Sequence, residues 1–312
     1  MNRRIIRQGN NSYTLTLPIK WMREQKLKEG DELEIREEEN NLLIGISRGL
    51  KRPESSITID LKSYNDPTIR NVLNQTYRKG YDKIILLVKE KSQVSWIREI
   101  TRNTLMGFEV VHEDKEKVIV ENIAEPSSEK FSIILRKIFF TIEEESREML
   151  EDFKAKKFPH LKQHQEIRET VDNYTNFCRR VIIKDKLGGN KNSYLLMVIV
   201  SRLSLIYHAY YQLYKYAASQ KSLSISKETF ELLSKTNEMF RLFHEAFYTK
   251  DLDNAHKLGV LKDRLIFSTL YTQLEKTKGH ENIFLYHIGE IIRLIHMEST
   301  NIFGLTDLQK LG

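Results

Sequence analysis

Cysteine is nearly absent from this 312-residue chain: Cys178 stands alone. A disulfide within the chain is therefore excluded, and the cell interior, the cytoplasm, is the expected location. Long apolar runs are also missing. The longest, Tyr194 to Val200, is ended by Ser201 and Arg202, far short of the roughly 20 residues that span a bilayer. The first residues carry charge but no apolar stretch of the kind a secretion signal needs, so a soluble protein is expected. Catalytic signatures are missing too. There is no glycine-rich phosphate loop, no Gly-x-Ser-x-Gly elbow and no Cys-x-x-Cys pair, so no enzymatic activity is expected. Gly188-Gly189 reads as a turn between helices.

What is present is charge, unevenly placed. The net charge is +7, which by itself is compatible with nucleic acid or with nothing in particular. Residues 1–28 hold seven Lys/Arg (Arg3, Arg4, Arg7, Lys20, Arg23, Lys26, Lys28) against the single acid Glu24. Residues 29–39 then hold seven acids and one base, Arg36. The N-terminal segment thus has a basic part and an acidic part.

Three segments follow from periodicity. In residues 1–48, Tyr13 to Leu17 alternates with period two as a half-buried strand does. Pro18 ends that strand and suits the first turn of a helix over 19–26. Glu29-Gly30-Asp31 is a turn, Leu33 and Ile35 begin a second strand, Asn40-Asn41 turns the chain, and Leu42 to Ile44 is a third strand. So small a unit buries too little apolar surface to stand alone, and needs a second copy or a neighbour. Residues 49–56 read as a linker. Residues 49–124 then hold a small α/β domain, strand and helix alternating: a strand at 57–59, a helix over 67–79 signalled by Asp66-Pro67, a strand at 84–88, a helix over 92–106 with Ser92 as its cap, and a hairpin at 108–112 and 118–121. Residues 125–312 read as six helices, near 127–155, 158–186, 192–220, 226–249, 252–278 and 281–300. The third is apolar nearly all round and so central, and Phe284, Ile288, Ile291 and Ile295 mark one face of the last.

The run Arg3-Arg4, Gly9-Asn10-Asn11-Ser12-Tyr13, Leu15-Thr16-Leu17-Pro18, Trp21 and Leu27-Lys28-Glu29-Gly30-Asp31-Glu32-Leu33 resembles the AbrB/SpoVT family over about residues 2–47. That resemblance implies an intertwined homodimer whose swapped hairpins close one barrel and bind duplex DNA. The helical segment resembles PhoU, which implies two three-helix bundles. The whole chain resembles archaeal phosphate-uptake regulators of the PhoU type. The fold expected is therefore multidomain α+β: a swapped-hairpin AbrB-like β-barrel, a small α/β middle domain and an all-α pair of bundles. The function expected is DNA-binding transcription regulation of phosphate homeostasis. The alternative is an adaptor that touches a phosphate transporter's ATPase or a signalling protein without binding DNA.

Candidate residues follow. Arg3, Arg4, Arg7, Lys20 and Arg23 are the candidate phosphate-backbone contacts, since long basic side chains grip phosphates without sequence demands; the plainer reading is a solvated basic face. Glu166, Glu169 and Asp172, with His164, sit within two turns of one helix and could ligate Fe, Zn or Mn together with His287 and Glu290; the plainer reading is a charged helix surface. PhoU-type acidic motifs are incomplete here. Arg168 stands at one acidic position of Arg168-Glu169-Thr170-Val171-Asp172, Gly259 at one of Gly259 to Asp263, and Tyr207 replaces the acid of Leu205-Ile206-Tyr207-His208-Ala209. No tight metal cluster is expected for that reason, and any residual site falls to Glu169, Asp172, His287 and Glu290. His208, His244, His256, His280 and His296 are scattered, tyrosines 207, 210, 211, 214 and 216 suggest core packing, and Cys178 has no activating partner.

Overall fold

A computed structural model of the chain describes residues 3–9, 12–38, 41–46, 55–124, 128–187, 189–221 and 224–305. Asn10, Asn11, Asn40, Gly188 and residues 49–54 of the expected linker lie outside the described residues. The chain forms two compact units, Met1–Glu54 and Ser55–Gly312.

In the first unit, β1 (Ile5–Arg7) pairs antiparallel with β2 (Tyr13–Leu15), placing Ile5 opposite Leu15 and Arg7 opposite Tyr13. The sequence reading missed β1, because three residues carry no readable period. It also ran β2 two residues too far: Pro18 cannot donate to a ladder, and the chain leaves the sheet ahead of it. Pro18 is the N-cap of α1 (Ile19–Glu24) rather than its first helical residue. Helix α1 ends two residues early, just before Lys26 turns left-handed at φ 55°. Gly30 supplies φ 91° in the following turn, and the Lys28 N–H donates to Asp31 Oδ2 at 2.7 Å. Strands β3 (Leu33–Glu38) and β4 (Asn41–Ile46) then form a second antiparallel ribbon. No described side chain of this unit is buried, and Ile5, Tyr13 and Ile19 are 70%, 66% and 65% exposed. Among the described residues, the two ribbons and the short helix form no core of their own.

The second unit begins with a four-stranded sheet in the order β5-β6-β8-β7. Strand β5 (Ser56–Asp60) runs parallel to β6 (Lys83–Leu87), as a strand–helix–strand crossover requires, and α2 (Asp66–Arg78) makes the crossover. Helix α3 (Lys91–Thr104) leads to the antiparallel pair β7 (Phe108–Glu113) and β8 (Lys117–Asn122). Every second residue of the central strands is inward: Ile84 and Leu86 of β6 and Val118 and Val120 of β8 are fully buried against Ile69, Leu73, Ile97 and Ile100 of the helices. Ser92 does not cap α3. Glu90 does, in a reciprocal capping box with Gln93, which also donates to the Leu61 carbonyl at 2.7 Å. Glutamate can cap where the partner at N3 is a glutamine that reaches back.

Helices α4 (Ser128–Ala155), α5 (Leu161–Asp185) and α6 (Gly189–Ala218) pack on one another, as do α7 (Lys227–Thr249), α8 (Leu252–Asp263) and α10 (His280–Leu305). Helices α6 and α10 lie along each other and fuse the two groups into one continuous core. The stretch Asn192–Ala218 is long and apolar enough to cross a membrane by length and composition, yet half of it is buried inside the unit, where Leu203, Tyr207, Tyr210 and Tyr214 form the centre of that core. The expected face of α10 is the inward one, with Phe284, Ile288, Ile291 and Ile295 all fully buried. The single helix expected over 252–278 is instead interrupted. A π-helical segment at Arg264–Leu270 separates α8 from α9 (Tyr271–Lys276). A side chain at Gly289 of α10 would meet Leu270 Cδ2 at 2.8 Å, so the bare backbone there admits the widened turn.

The expected boundary at 124/125 falls inside this one unit. Helix α5 carries polar side chains into the α/β part: Asn176 Nδ2 donates to the Thr104 carbonyl at 3.1 Å. Arg180, fully buried, donates to the carbonyls of Tyr77 at 2.9 Å and Tyr81 at 2.8 Å and to Asp82 Oδ1 at 2.7 Å. Lys184 reaches the same Asp82 oxygen at 2.6 Å. A buried charge is tolerable only when its partners surround it. Arg180→Leu strands two carbonyls and takes from Asp82 its buried cation, leaving it Lys184, and the expected loss is about 3–5 kcal/mol of unfolding free energy, read by urea denaturation. A loss below about 1 kcal/mol, the worth of an ordinary hydrogen bond, contradicts this.

Candidate nucleic-acid interface and polar cleft

In the first unit, Arg3, Arg4 and Arg7 lie on and just before β1, and Lys20 and Arg23 on α1; all five are exposed. Of these, only Arg7 lies within the strand, and Arg3 and Arg4 lead into it. Lys20 and Arg23 share a helix face, where Lys20 stands 3.9 Å from Glu24. Arg3 also lines a groove floored by Leu15, Pro18, Trp21, Leu42 and Ile44. The acidic run occupies β3 and the turn before it. Charge is thus sorted by element: cations on the first ribbon and its helix, anions on the second ribbon. Exposed cations on a strand and helix of one small unit make an anionic polymer its natural counterpart.

Residues 6–57 match a family model. It is the model of MazE, described as antidote-toxin recognition MazE, bacterial antitoxin. The match takes in both ribbons and α1, about a sixth of the chain, and stops where the sheet of the second unit begins. The N-terminal segment is AbrB/MazE-like. No curated protein and no solved structure is significantly similar to the chain.

In the second unit the expected metal candidates do not converge. Glu169 and Asp172 of α5 line a cleft of about 560 Å³ together with Arg70 and Arg78 of α2 and Arg168 and Arg179 of α5. Asp172 accepts from His208 Nε2 at 2.9 and 3.0 Å and from the Ser204 hydroxyl at 2.6 Å. Burial pushes the Asp172 carboxyl up, but the His208 and Ser204 hydrogen bonds and the Arg168 charge outweigh it and hold the group below the usual carboxylate range. His287 and Glu290 belong to α10, 3.9 Å apart, with the His287 ring against Tyr216. Burial holds His287 below its ordinary value, against the pull of Glu290. Their helix packs on α6, α7 and α8, not beside the Glu169–Asp172 turn, so these four are not one ligand set.

Among the described residues, the group whose ligand atoms approach within 4.8 Å of one another is Glu145, Glu148 and His164. His164 is fully buried, its Nδ1 2.8 Å from Glu145 Oε2 and its ring 4.3 Å from that of Tyr214. Beside it His160 Nδ1 lies 2.9 Å from Asp152. Two carboxylates and an imidazole suit a divalent transition metal. Sequence reading registered His164 but not its partners, because Glu145 and Glu148 lie on α4, across an interhelix turn. Their spacing on one helix face was the available signal. Of the tyrosines expected in the core, Tyr207, Tyr210, Tyr211 and Tyr214 are buried, while Tyr216 is half-buried and its hydroxyl pairs with His280 at 2.9 Å. Cys178 is buried and its thiol is pushed up by that burial, which makes it a poor nucleophile.

Because the folded Asp172 carboxyl is held below its ordinary value, the stability it contributes is present above the usual carboxylate range and lost as pH falls toward the folded value. Asp172→Asn is expected to cost about 1–2 kcal/mol near neutral pH and to flatten the stability profile between about pH 3 and 5. Thermal melts across that range test it. An unchanged profile sinks the assignment.

Proposed function

We propose that this protein is a cytoplasmic DNA-binding transcription regulator that acts as a homodimer through its N-terminal unit, with the helical unit relating promoter occupancy to phosphate status. It is assigned no catalytic role. The observation that carries the reading is the cluster of exposed cations Arg3, Arg4, Arg7, Lys20 and Arg23 on a segment that matches an AbrB-like family. The homodimer is supported by the absence of any buried side chain among the described residues of that unit, whose apolar ribbons need a second copy to exclude water. The phosphate connection rests on the PhoU-like helix pattern of the second unit.

A second reading is favoured by the matched family's own description. An antitoxin-type regulator binds a protein partner as well as DNA, and the groove beside Trp21 is where an apolar side chain of a partner fits. A third outcome, an adaptor for a transporter ATPase or signalling protein, follows if DNA binding is absent.

Two measurements test the main reading. Sedimentation at micromolar concentration is expected to show a dimer, and Trp21 emission, followed with Trp96 replaced by Phe, is expected to shift red on dilution as the groove opens to water. A monomer at that concentration removes the swapped-hairpin arrangement. Anisotropy titration with duplex DNA at two salt concentrations is expected to show salt-sensitive binding. Replacing Arg3, Arg4 and Arg7 by Ala then lowers affinity for every duplex, and the log–log salt slope falls by up to about three, close to one for each phosphate no longer neutralised. Unchanged affinity with an intact fold leaves the adaptor.

A further inference from the structure

We propose that the cleft bounded by α2, α3, α5 and α6 is a binding site for a phosphate-type oxyanion, either free inorganic phosphate or the phosphate group of a small phosphorylated metabolite. The site is a property of the second unit alone and stands apart from the DNA reading.

The first argument is the excess of unpaired cations. Of the four arginines lining the cleft, Arg70 has an acidic neighbour, Asp66 at 3.7 Å. Arg78, Arg168 and Arg179 have none within 4.0 Å among the described residues. Arg78 donates through Nε to Asn176 at 2.8 Å, leaving its terminal nitrogens. The Nε atoms of Arg168 and Arg179 are shielded from solvent and have no hydrogen-bond partner. Buried guanidinium donors with nothing to donate to are uncommon in folded proteins, and two in one cleft, beside a third arginine that no acid pairs, ask for an acceptor with several oxygens.

Electrostatics gives the second. The Arg179 guanidinium is pushed down to about 10, first by burial and then by the charge of Arg78, and burial lowers Arg78 as well. Asp172 is the carboxylate that Arg78, Arg168 and Arg179 all feel, but its oxygens are engaged by His208 and Ser204. The remaining acids are Glu169 and, at the exposed rim, Glu99. An anion seated among the three guanidiniums relieves their mutual repulsion and satisfies the orphaned donors together.

The chemistry of the wall selects the ligand. Guanidinium forks match the oxygen spacing of phosphate in a bidentate manner. Asn74 and Asn103 add neutral donors to the wall. A cleft of about 560 Å³ falls within the range of small-molecule pockets, with room for a phosphate or a nucleoside monophosphate but not for a duplex. Its walls come from both the α/β part and the helices, so a bound oxyanion crosslinks the two.

The test is calorimetric titration of the full chain with inorganic phosphate and, separately, with AMP, accompanied by melting curves. One oxyanion per chain is expected to bind and to raise the melting temperature. Arg78→Gln, Arg168→Gln and Arg179→Gln are each expected to weaken binding at least about tenfold, about 1.4 kcal/mol, and Arg179→Lys to weaken it less. Asn103→Asp, which adds a carboxylate to the wall at constant size, gives the same loss and serves where a glutamine variant fails to fold. The chain with Arg3, Arg4 and Arg7 replaced by Ala binds as the wild type does. Phosphate as the tighter probe identifies a free-ion site, and AMP as the tighter probe, lost in the same variants, identifies a phosphorylated metabolite. The proposal is overturned if neither probe binds stoichiometrically, if binding survives Arg78→Gln with Arg179→Gln or Asn103→Asp, or if it disappears with the N-terminal arginines.

Discussion

Much of the second unit hangs on one buried charge. Arg180 sits with no solvent contact and spends its guanidinium on two carbonyls around the end of α2 and on Asp82. Desolvating a guanidinium is costly enough that no nearby register of α5 is acceptable. With the register fixed, the rest of the helix follows from its period. Arg168, Asp172, Asn176 and Arg179, spaced by four, four and three residues, fall along one stripe that faces α2, α3 and α6. The lock between the parts and the polar cleft beside it are therefore one feature seen at two points of the same helix.

The first unit is governed by the opposite circumstance, a shortage of anything to bury. Its ribbons are hydrogen-bonded within themselves, yet a two-stranded ribbon is marginal in water without a covered face. Ile5, Ile35 and Leu42 stay 70%, 62% and 62% exposed, so the segment that carries the exposed cations is also the one whose described residues bury least.

Periodic signals in the sequence were dependable where burial created them. The stripe Phe284–Ile288–Ile291–Ile295, the all-round apolar α6 and the order of strands and helices in the α/β part all follow from which side chains must leave water. What the sequence hid depends on partners distant along the chain. Strand β1 is defined by Tyr13 to Leu15 opposite it. The cap of α3 is Glu90 because Gln93 reaches back and then onward to the Leu61 carbonyl. The π-helical turn exists because Gly289 of another helix leaves room for Leu270. Asp172, read as a possible metal ligand from its neighbours on α5, sits instead among guanidiniums supplied partly by α2, and a ring of cations is hostile to a metal ion by simple Coulomb repulsion.

The place where the chain enters the second unit bears on what a ligand in the cleft could accomplish. Ser55, its first residue, donates through both backbone and hydroxyl to Asp82 at 3.2 and 3.0 Å, the carboxylate that also holds Arg180 and Lys184. Arg179, in the cleft, is the next residue along α5 from Arg180. The entry strand and the lock thus share hydrogen bonds to Asp82, and the cleft adjoins the lock along the backbone of α5. Linkage sets the terms: an oxyanion alters the rest of the protein only by the difference in its affinity for two arrangements of these contacts. A ligand that ties α2 to α5 favours whichever arrangement keeps Asp82 engaged by Arg180. By the same reciprocity, a change at Ser55 reaches an anion in the cleft only so far as it alters the contacts of α5 with α2.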